Sequence, residues 1–173
     1  MSLSFYDTSV ASYLQIIDAT AACLEKGAHY ASENGIDLQQ IVTTRLREDM
    51  MPFHFQIIAL THMSVGSIRA MQSGTFSPPS FEIDKSYEEL QGVVADSRSE
   101  LAELKEADVE ALAEGSLIFK MGKNEIPFTH KNFLISFALP NFYFHSTTTY
   151  DILRMLGVPL GKMDFLGQLK IGG

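Results

Sequence analysis

The sequence is poor in the residues that mark several classes of protein. Its 173 residues contain one cysteine, Cys23, and no tryptophan, so an intrachain disulfide and a cysteine-ligated metal cluster are both excluded. No apolar run is long enough to span a bilayer, and the first residues lack the basic segment and apolar stretch of a secretory signal. These absences predict a cytoplasmic protein with no membrane segment.

Basic residues are also scarce, with 13 Lys and Arg against 21 Asp and Glu and a net charge of −8. The imbalance lies in residues 82–114, which hold eleven acidic and three basic residues, while the rest of the chain is neutral. Because no basic stripe is present to neutralise phosphates, nucleic acid is not an expected partner. The acidic segment is typical of a solvated helix face followed by a loop.

What the chain does contain is a large hydrophobic fraction, 46%, which is enough to form the core of a single domain over residues 1–173. Apolar residues recur every three or four positions in four segments, the pattern of amphipathic helices. They predict long helices at residues 8–34, about 50–71, about 86–104 and about 129–155.

Local signals refine these helices. Ser86 and Glu89 have the spacing of a capping box at the start of the third helix, and Asp49 is the expected N-cap of the second. Pro140 predicts a kink inside the fourth helix. That helix carries apolar residues on nearly all sides, which predicts that it is buried.

The connections complete the predicted fold. Residues 75–80 contain two adjacent prolines and predict an extended crossover between the second and third helices. Two short apolar pieces around residues 122–124 predict a small β-hairpin before the fourth helix. The predicted fold class is therefore all-α, a four-helix bundle with one crossover.

Motifs of familiar enzymes are missing: we find no His-x-x-x-His, no Gly-x-Ser-x-Gly and no glycine-rich phosphate loop. One spacing in the fourth helix stands out, because Asn141 and His145 are four residues apart and share a helix face. His62, midway along the second helix, could face them, as in sites built from facing helices of a bundle. Two imidazoles and one amide oxygen are a weak ligand set for Zn²⁺.

The other reactive side chains have simpler interpretations. Cys23 lies on the apolar side of the first helix and is expected to be inert core. His29, His54 and His130 fall near helix ends or on outer faces and are expected to be solvated.

The last third of the chain resembles a known family. The stretch 136–145, with its Leu-Pro-Asn-Phe-x-Phe-His block, continues through 150–157 and 161–167, and residues 47–53 with His62 resemble the other signature stretches. They resemble domain-of-unknown-function family 1993, which looks like a branch of the DinB/YfiT-like superfamily. The resemblance covers essentially the whole chain. It implies a DinB-like four-helix bundle with a long crossover between helices two and three, often dimeric.

The same resemblance implies a metal site. Many DinB-like proteins bind a divalent metal through one histidine on helix two and His-x-x-x-His on helix four. Aligned on Leu153–Gly157, His145 matches the second helix-four histidine and His62 the helix-two histidine, while Asn141 replaces the first. A Zn, Ni or Fe ion is therefore one alternative cofactor, in a site that departs from the three-histidine pattern.

Three functions remain open from the sequence. The first is a pocket for an unknown small molecule floored by His62, Asn141 and His145, with a histidine as acid or base of a cofactor-free isomerase or lyase. The second is a weak divalent-metal site at the same residues with DinB-like transferase or hydrolase chemistry. The third is a non-enzymatic, homodimeric binding or stress-related module, in which the histidines are core hydrogen-bond partners.

Overall fold

The computed structural model describes residues 3–80 and 85–171, and most of these residues are helical. The helices are α1 Ser12–Asn34, α2 Leu38–Thr43, α3 Phe53–Ser73, α4 Tyr87–Glu103, α5 Glu106–Glu110, α6 His130–Phe133, α7 Leu139–Met155 and α8 Lys162–Leu166. The strands are β1 Thr75–Phe76, β2 Ser116–Met121 and β3 Asn124–Thr129. None of the helices in these two ranges is long and apolar enough to cross a membrane.

The core lies between the four long helices. Helix α3 packs along both α7 and α4, and α1 packs on α4 and α8. Tyr13 of α1 illustrates the contacts: its ring meets Phe142 of α7 edge-on, with ring centroids 4.8 Å apart. Its hydroxyl lies 3.2 Å from the Ser67 hydroxyl of α3, so a fully buried tyrosine joins three helices.

The three strands fix the directions of the helices. Strand β2 pairs parallel with β1 and antiparallel with β3. Since β1 directly follows α3, and β3 runs directly into α6 and α7, the end of α3 and the start of α7 meet at the sheet and the two helices are antiparallel. The predicted hairpin is confirmed as β2 and β3. The third strand, β1, lies in the segment expected to be an extended crossover.

Helix α3 begins later than predicted. Its first residue is Phe53 and its N-cap is Pro52, so the assignment of Asp49 as N-cap was wrong. The Phe53 N–H donates to the carbonyl of Thr44 at 2.8 Å, which ties the start of α3 to the end of α2. Residues 44–52 therefore form a folded-back loop between α2 and α3 instead of the first turn of a helix.

A kink was expected at Pro140 in the fourth predicted helix, but the irregular part of this helix lies before Pro140. A π-helical turn, Leu134–Ala138, lies between α6 and α7, and Pro140 is the second residue of α7. The prediction of a buried helix was wrong, because Tyr143 is 40% and Phe144 54% exposed. These rings lie on the side of α7 that faces away from α3 and α1.

The structure confirms some of the burial predictions for the isolated cysteine and histidines and contradicts others. Cys23 is buried, and burial raises the pKa of its thiol to about 11, as expected for an inert core residue. His29 is exposed, as predicted, whereas His54 is only partly so. His130 is 3% exposed, so its predicted solvation was wrong: its Nδ1 lies 2.6 Å from the Leu112 carbonyl oxygen.

The capping box of α4 gives a test of the fold. Ser86 accepts a hydrogen bond from the Glu89 N–H, and Glu89 accepts one from the Ser86 N–H. We expect Ser86→Ala to lower the free energy of unfolding by about 1 kcal/mol, the usual effect of losing an N-cap, measured by urea denaturation. Ser99→Ala, at an exposed site on the same helix, is the matched control. An equal loss in both variants would contradict this account of the cap.

Candidate functional site

His145, on α7, is held against the first turn of α3. Its Nδ1 lies 2.8 Å from Oε1 of Gln56, and the Nε2 of the same amide donates to the Met51 carbonyl at 2.8 Å. The second bond fixes which way the amide faces, so Oε1 accepts from His145 and Nδ1 carries the proton. Nε2 of His145 is left with its lone pair.

Gln56 is the site residue that sequence reasoning missed. It is 2% exposed, and it lies among apolar residues because α3 begins at Phe53 and turns this position towards α7. A buried polar side chain needs hydrogen-bond partners, and both amide atoms of Gln56 have one. The available signal was a glutamine within the apolar run Phe53–Leu60, which the helical periodicity alone does not connect to His145.

Aromatic rings surround the His145 imidazole. Phe55 meets it edge-on, with ring centroids 6.0 Å apart, and Phe144 does the same at 5.2 Å. Burial lowers the pKa of His145 to about 4, because the charged form loses its hydration. At neutral pH the site therefore presents an uncharged imidazole of fixed tautomer.

Asn141 lies one turn before His145 on α7, as its spacing predicts. Its Nδ2 donates to the Phe137 carbonyl, in the preceding π-helical turn, at 2.7 Å. Oδ1 is therefore the atom that Asn141 has left for a ligand. The structure thus brings Asn141 and His145 to neighbouring positions on one helix.

His62 lies elsewhere. Its Nε2 is 2.7 Å from the Ser77 carbonyl oxygen and its ring packs against Phe76, with ring centroids 4.7 Å apart. A carbonyl accepts, so Nε2 carries the proton, and burial lowers the pKa of this imidazole. His62 follows Gln56 by six residues, about 9 Å along α3. It lines a groove between α3 and α4, whereas His145 faces the contact between α3 and α7.

These placements do not fit the metal that the resemblance implies. Ligands must converge within about 2.0–2.2 Å of one ion, but His62 and His145 bond different partners in different grooves. Among residues 3–80 and 85–171, no three His, Cys, Asp or Glu side chains are placed to hold a metal ion. We therefore derive no chemistry through a metal.

A depression open to solvent lies along the turns of α7 that also carry His145, although His145 itself is not one of its lining residues. We call it the α7 depression: it has a volume of about 460 Å³ and lies between α7 and the loop joining α2 to α3. Phe144 and Thr148, which flank His145 in sequence, are among its lining residues. Its walls are mainly apolar, and its other lining residues include Leu46, Met50, Tyr143 and Asp151.

Comparisons with known proteins agree with this fold. The family model described as "Domain of unknown function (DUF1993)" matches residues 5–166. Among solved structures, a DinB family member protein from Shewanella denitrificans matches with a TM-score of 0.80 and 24% identity, over 97% of this chain and 94% of that chain. At that identity the likeness shows the fold alone. No curated protein matches the sequence.

The neutral imidazole of His145 makes stability depend on pH. Its folded-state pKa, about 4, is below the ordinary value near 6.5, so between these values the unfolded chain binds a proton that the folded one does not. We expect the free energy of unfolding to fall as the pH drops from about 6.5 to about 4, with a smaller fall in His145→Phe. Urea unfolding across this range is the measurement, and His29→Gln, at an exposed histidine, is the control. Equal slopes in wild type and His145→Phe would contradict the assignment.

The separation of His62 from His145 is testable by a double-mutant cycle. If the two side chains share no site, the effects of His62→Ala and His145→Ala on unfolding should add within about 0.5 kcal/mol. Metal analysis of protein purified without an affinity tag or chelator should find far less than one ion per chain. Strong coupling between the substitutions, or stoichiometric metal lost in both single variants, would restore the shared site.

Proposed function

Because the chain belongs to the family described as Domain of unknown function (DUF1993), whose description names no activity, we propose a function from its own side chains. The protein binds a small aromatic alcohol in the α7 depression, with His145 accepting the hydroxyl hydrogen bond. The observation that carries this proposal is the Gln56–His145 hydrogen bond of 2.8 Å, which sets the tautomer of His145.

The apolar walls support an aromatic ligand. Tyr143 and Phe144 present exposed rings on α7, and Leu46 and Met50 face them from the loop across the depression. Rings pack favourably in edge-on or offset contacts with other rings. The depression, at about 460 Å³, is within the size range of small-molecule sites.

Hydrogen-bond acceptors beside the depression support a ligand that donates a hydrogen bond. His145 and Asn141 do not line the depression, but they adjoin its lining residues Phe144 and Pro140 in sequence. Nε2 of His145 holds a lone pair, and Oδ1 of Asn141 can accept. The Thr148 hydroxyl donates its proton to the Phe144 carbonyl at 2.8 Å, so its oxygen is also left as an acceptor. In this proposal a hydroxyl group on the ligand donates to Nε2 of His145. The hydroxyl groups of Tyr143 and Thr147, which line the depression, can donate to the ligand or accept from it.

The pKa of His145 favours binding over acid–base chemistry. A cofactor-free isomerase or lyase would use this imidazole as a proton acceptor, since Nε2 carries no proton at neutral pH. A base with a pKa of about 4 is weak at pH 7, because general bases are most effective when their pKa is near the working pH. Binding a hydroxyl group requires a hydrogen-bond acceptor and no proton transfer, so an imidazole with this low pKa is suited to binding.

A separate proposal concerns the arrangement of the helices. We propose that α1, α3, α4 and α7 form the four-helix bundle of DinB-like proteins, with the link between α3 and α4 as its long crossover. The parallel direction of α3 and α4, whose ends both lead to the sheet, and the TM-score of 0.80 support this arrangement. The homodimer stays a prediction.

Phenol and toluene form a matched pair of probes, because they differ in the hydroxyl group. We expect phenol to shift the backbone amide signals of Phe144, Thr148 and Asp151 in a saturable NMR titration. His145→Phe should weaken phenol binding about fivefold, the value of one hydrogen bond, and leave toluene unchanged. His29→Gln is the control.

Two outcomes would contradict this function. One is equal affinity of wild type and His145→Phe for phenol. The other is the absence of saturable shifts together with concentration-dependent self-association in sedimentation, which would indicate that a second copy covers the α7 depression.

A further inference from the structure

We propose that the groove between α3 and α4 is a second, separate site that binds a small organic cation, an alkylammonium ion. The groove has a volume of about 260 Å³. It lies on the opposite side of α3 from the Gln56–His145 contact and shares no lining residue with the α7 depression. His62 is one of the residues that line this groove.

His62 presents a hydrogen-bond acceptor to this groove. Its Nε2 proton is held by the Ser77 carbonyl at 2.7 Å, so Nδ1 carries the lone pair. Gly66, one turn later on α3, leaves the space beside that atom open: a Cβ at this position would lie 3.1 Å from Nδ1. Both residues line the groove, so its shape depends on glycine at position 66.

An ion pair closes one end of the groove and leaves one carboxylate free. Arg69 of α3 donates from Nε to Glu100 of α4 at 2.6 Å, and its second nitrogen bonds the other oxygen. Asp96 lies one turn before Glu100, about 6 Å along α4. It also lines the groove, and within the described part of the chain it forms no hydrogen bond or ion pair.

The remaining polar groups are also acceptors. The Thr61 hydroxyl donates to the Ile58 carbonyl at 3.0 Å, and the Ser97 hydroxyl donates to the Val93 carbonyl at 2.8 Å. Each oxygen keeps only lone pairs for a ligand. With Arg69 and Glu100 neutralising one another and His62 uncharged, Asp96 makes the groove negative.

An alkylammonium ion matches this set. Its nitrogen carries three N–H donors and a positive charge, suited to Nδ1 of His62 and the Asp96 carboxylate. Both residues line the groove from opposite walls, and their positions along the helix axes, counted from the Arg69–Glu100 pair, differ by about 4–5 Å. Ile58, Val65 and Val93 supply an apolar surface for the alkyl chain. A hard metal cation fits poorly, because Ca²⁺ and Mg²⁺ need several oxygen ligands and Asp96 is the single unpaired carboxylate lining the groove.

n-Butylamine, protonated at pH 7, and n-butanol, its neutral counterpart, test the proposal. We expect n-butylamine to shift the backbone amide signals of Val65, Gly66 and Asp96 in a saturable NMR titration, and n-butanol to bind much more weakly. Asp96→Asn should weaken n-butylamine binding about fivefold, as expected for a partly exposed charge pair. Asp108→Asn, at an exposed position on α5, is the matched control and should bind as wild type does.

Gly66→Ala gives a second arm. Alanine favours the helix but fills the space beside Nδ1, so binding should be lost while the fold is kept, as checked by circular dichroism. The proposal is overturned if n-butanol shifts the same amides with equal affinity, or if Asp96→Asn binds n-butylamine as wild type does. If Gly66→Ala does not fold, Asp96→Asn alone decides.

Discussion

The structure depends on the burial of one long helix, α3. Fourteen of its 21 residues are buried, so its buried polar side chains lose water and need partners from neighbouring elements. Buried Gln56 bonds α7 and buried Ser67 bonds α1. At the edge of the buried face, His62 bonds the carbonyl of Ser77, and the exposed Arg69 bonds α4. The polar groups of one helix thereby fix how three other helices lie against it.

This constraint also decides which candidate residues meet. His62 of α3 bonds the Ser77 carbonyl, and His145 of α7 bonds Gln56 of α3, so the two histidines have separate partners on different sides of α3. Their tautomers are opposite, with the proton on Nε2 in His62 and on Nδ1 in His145. Both imidazoles are neutral at pH 7 and each keeps one lone pair, so each can accept a hydrogen bond from a ligand that donates one.

The elements that were predictable from the sequence are those set by local chemistry. The apolar periodicity located the four long helices, and Ser86 with Glu89 form the predicted capping box. Contacts between segments were not predictable: the start of α3 depends on the carbonyl of Thr44, which lies nine residues before Phe53 and accepts its N–H. Strand β1, two residues long, is too short for any periodicity to show.

Only one part of the candidate site was predictable from the sequence. The spacing of Asn141 and His145 placed them correctly on one helix, because a helix fixes the geometry of neighbours four residues apart. Pairing across helices depends on rotation and register, which the sequence pattern leaves free. His62 was therefore expected opposite His145, whereas Gln56, which carries no catalytic signature, occupies that position.

The contacts of α4 change the interpretation of the acidic segment, residues 82–114. In the sequence its charges are typical of a solvated face, and most of α4 does face water. Yet Asp96 and Glu100 lie on the edge of α4 that borders α3, where Glu100 is neutralised by Arg69 and Asp96 is not. Asp96 is exposed, so water solvates its carboxylate in the free protein, and it lies near a neutral acceptor and an apolar surface that line the same groove. Among the eleven acidic residues of 82–114, Asp96 is therefore the one placed to select a cation in this groove.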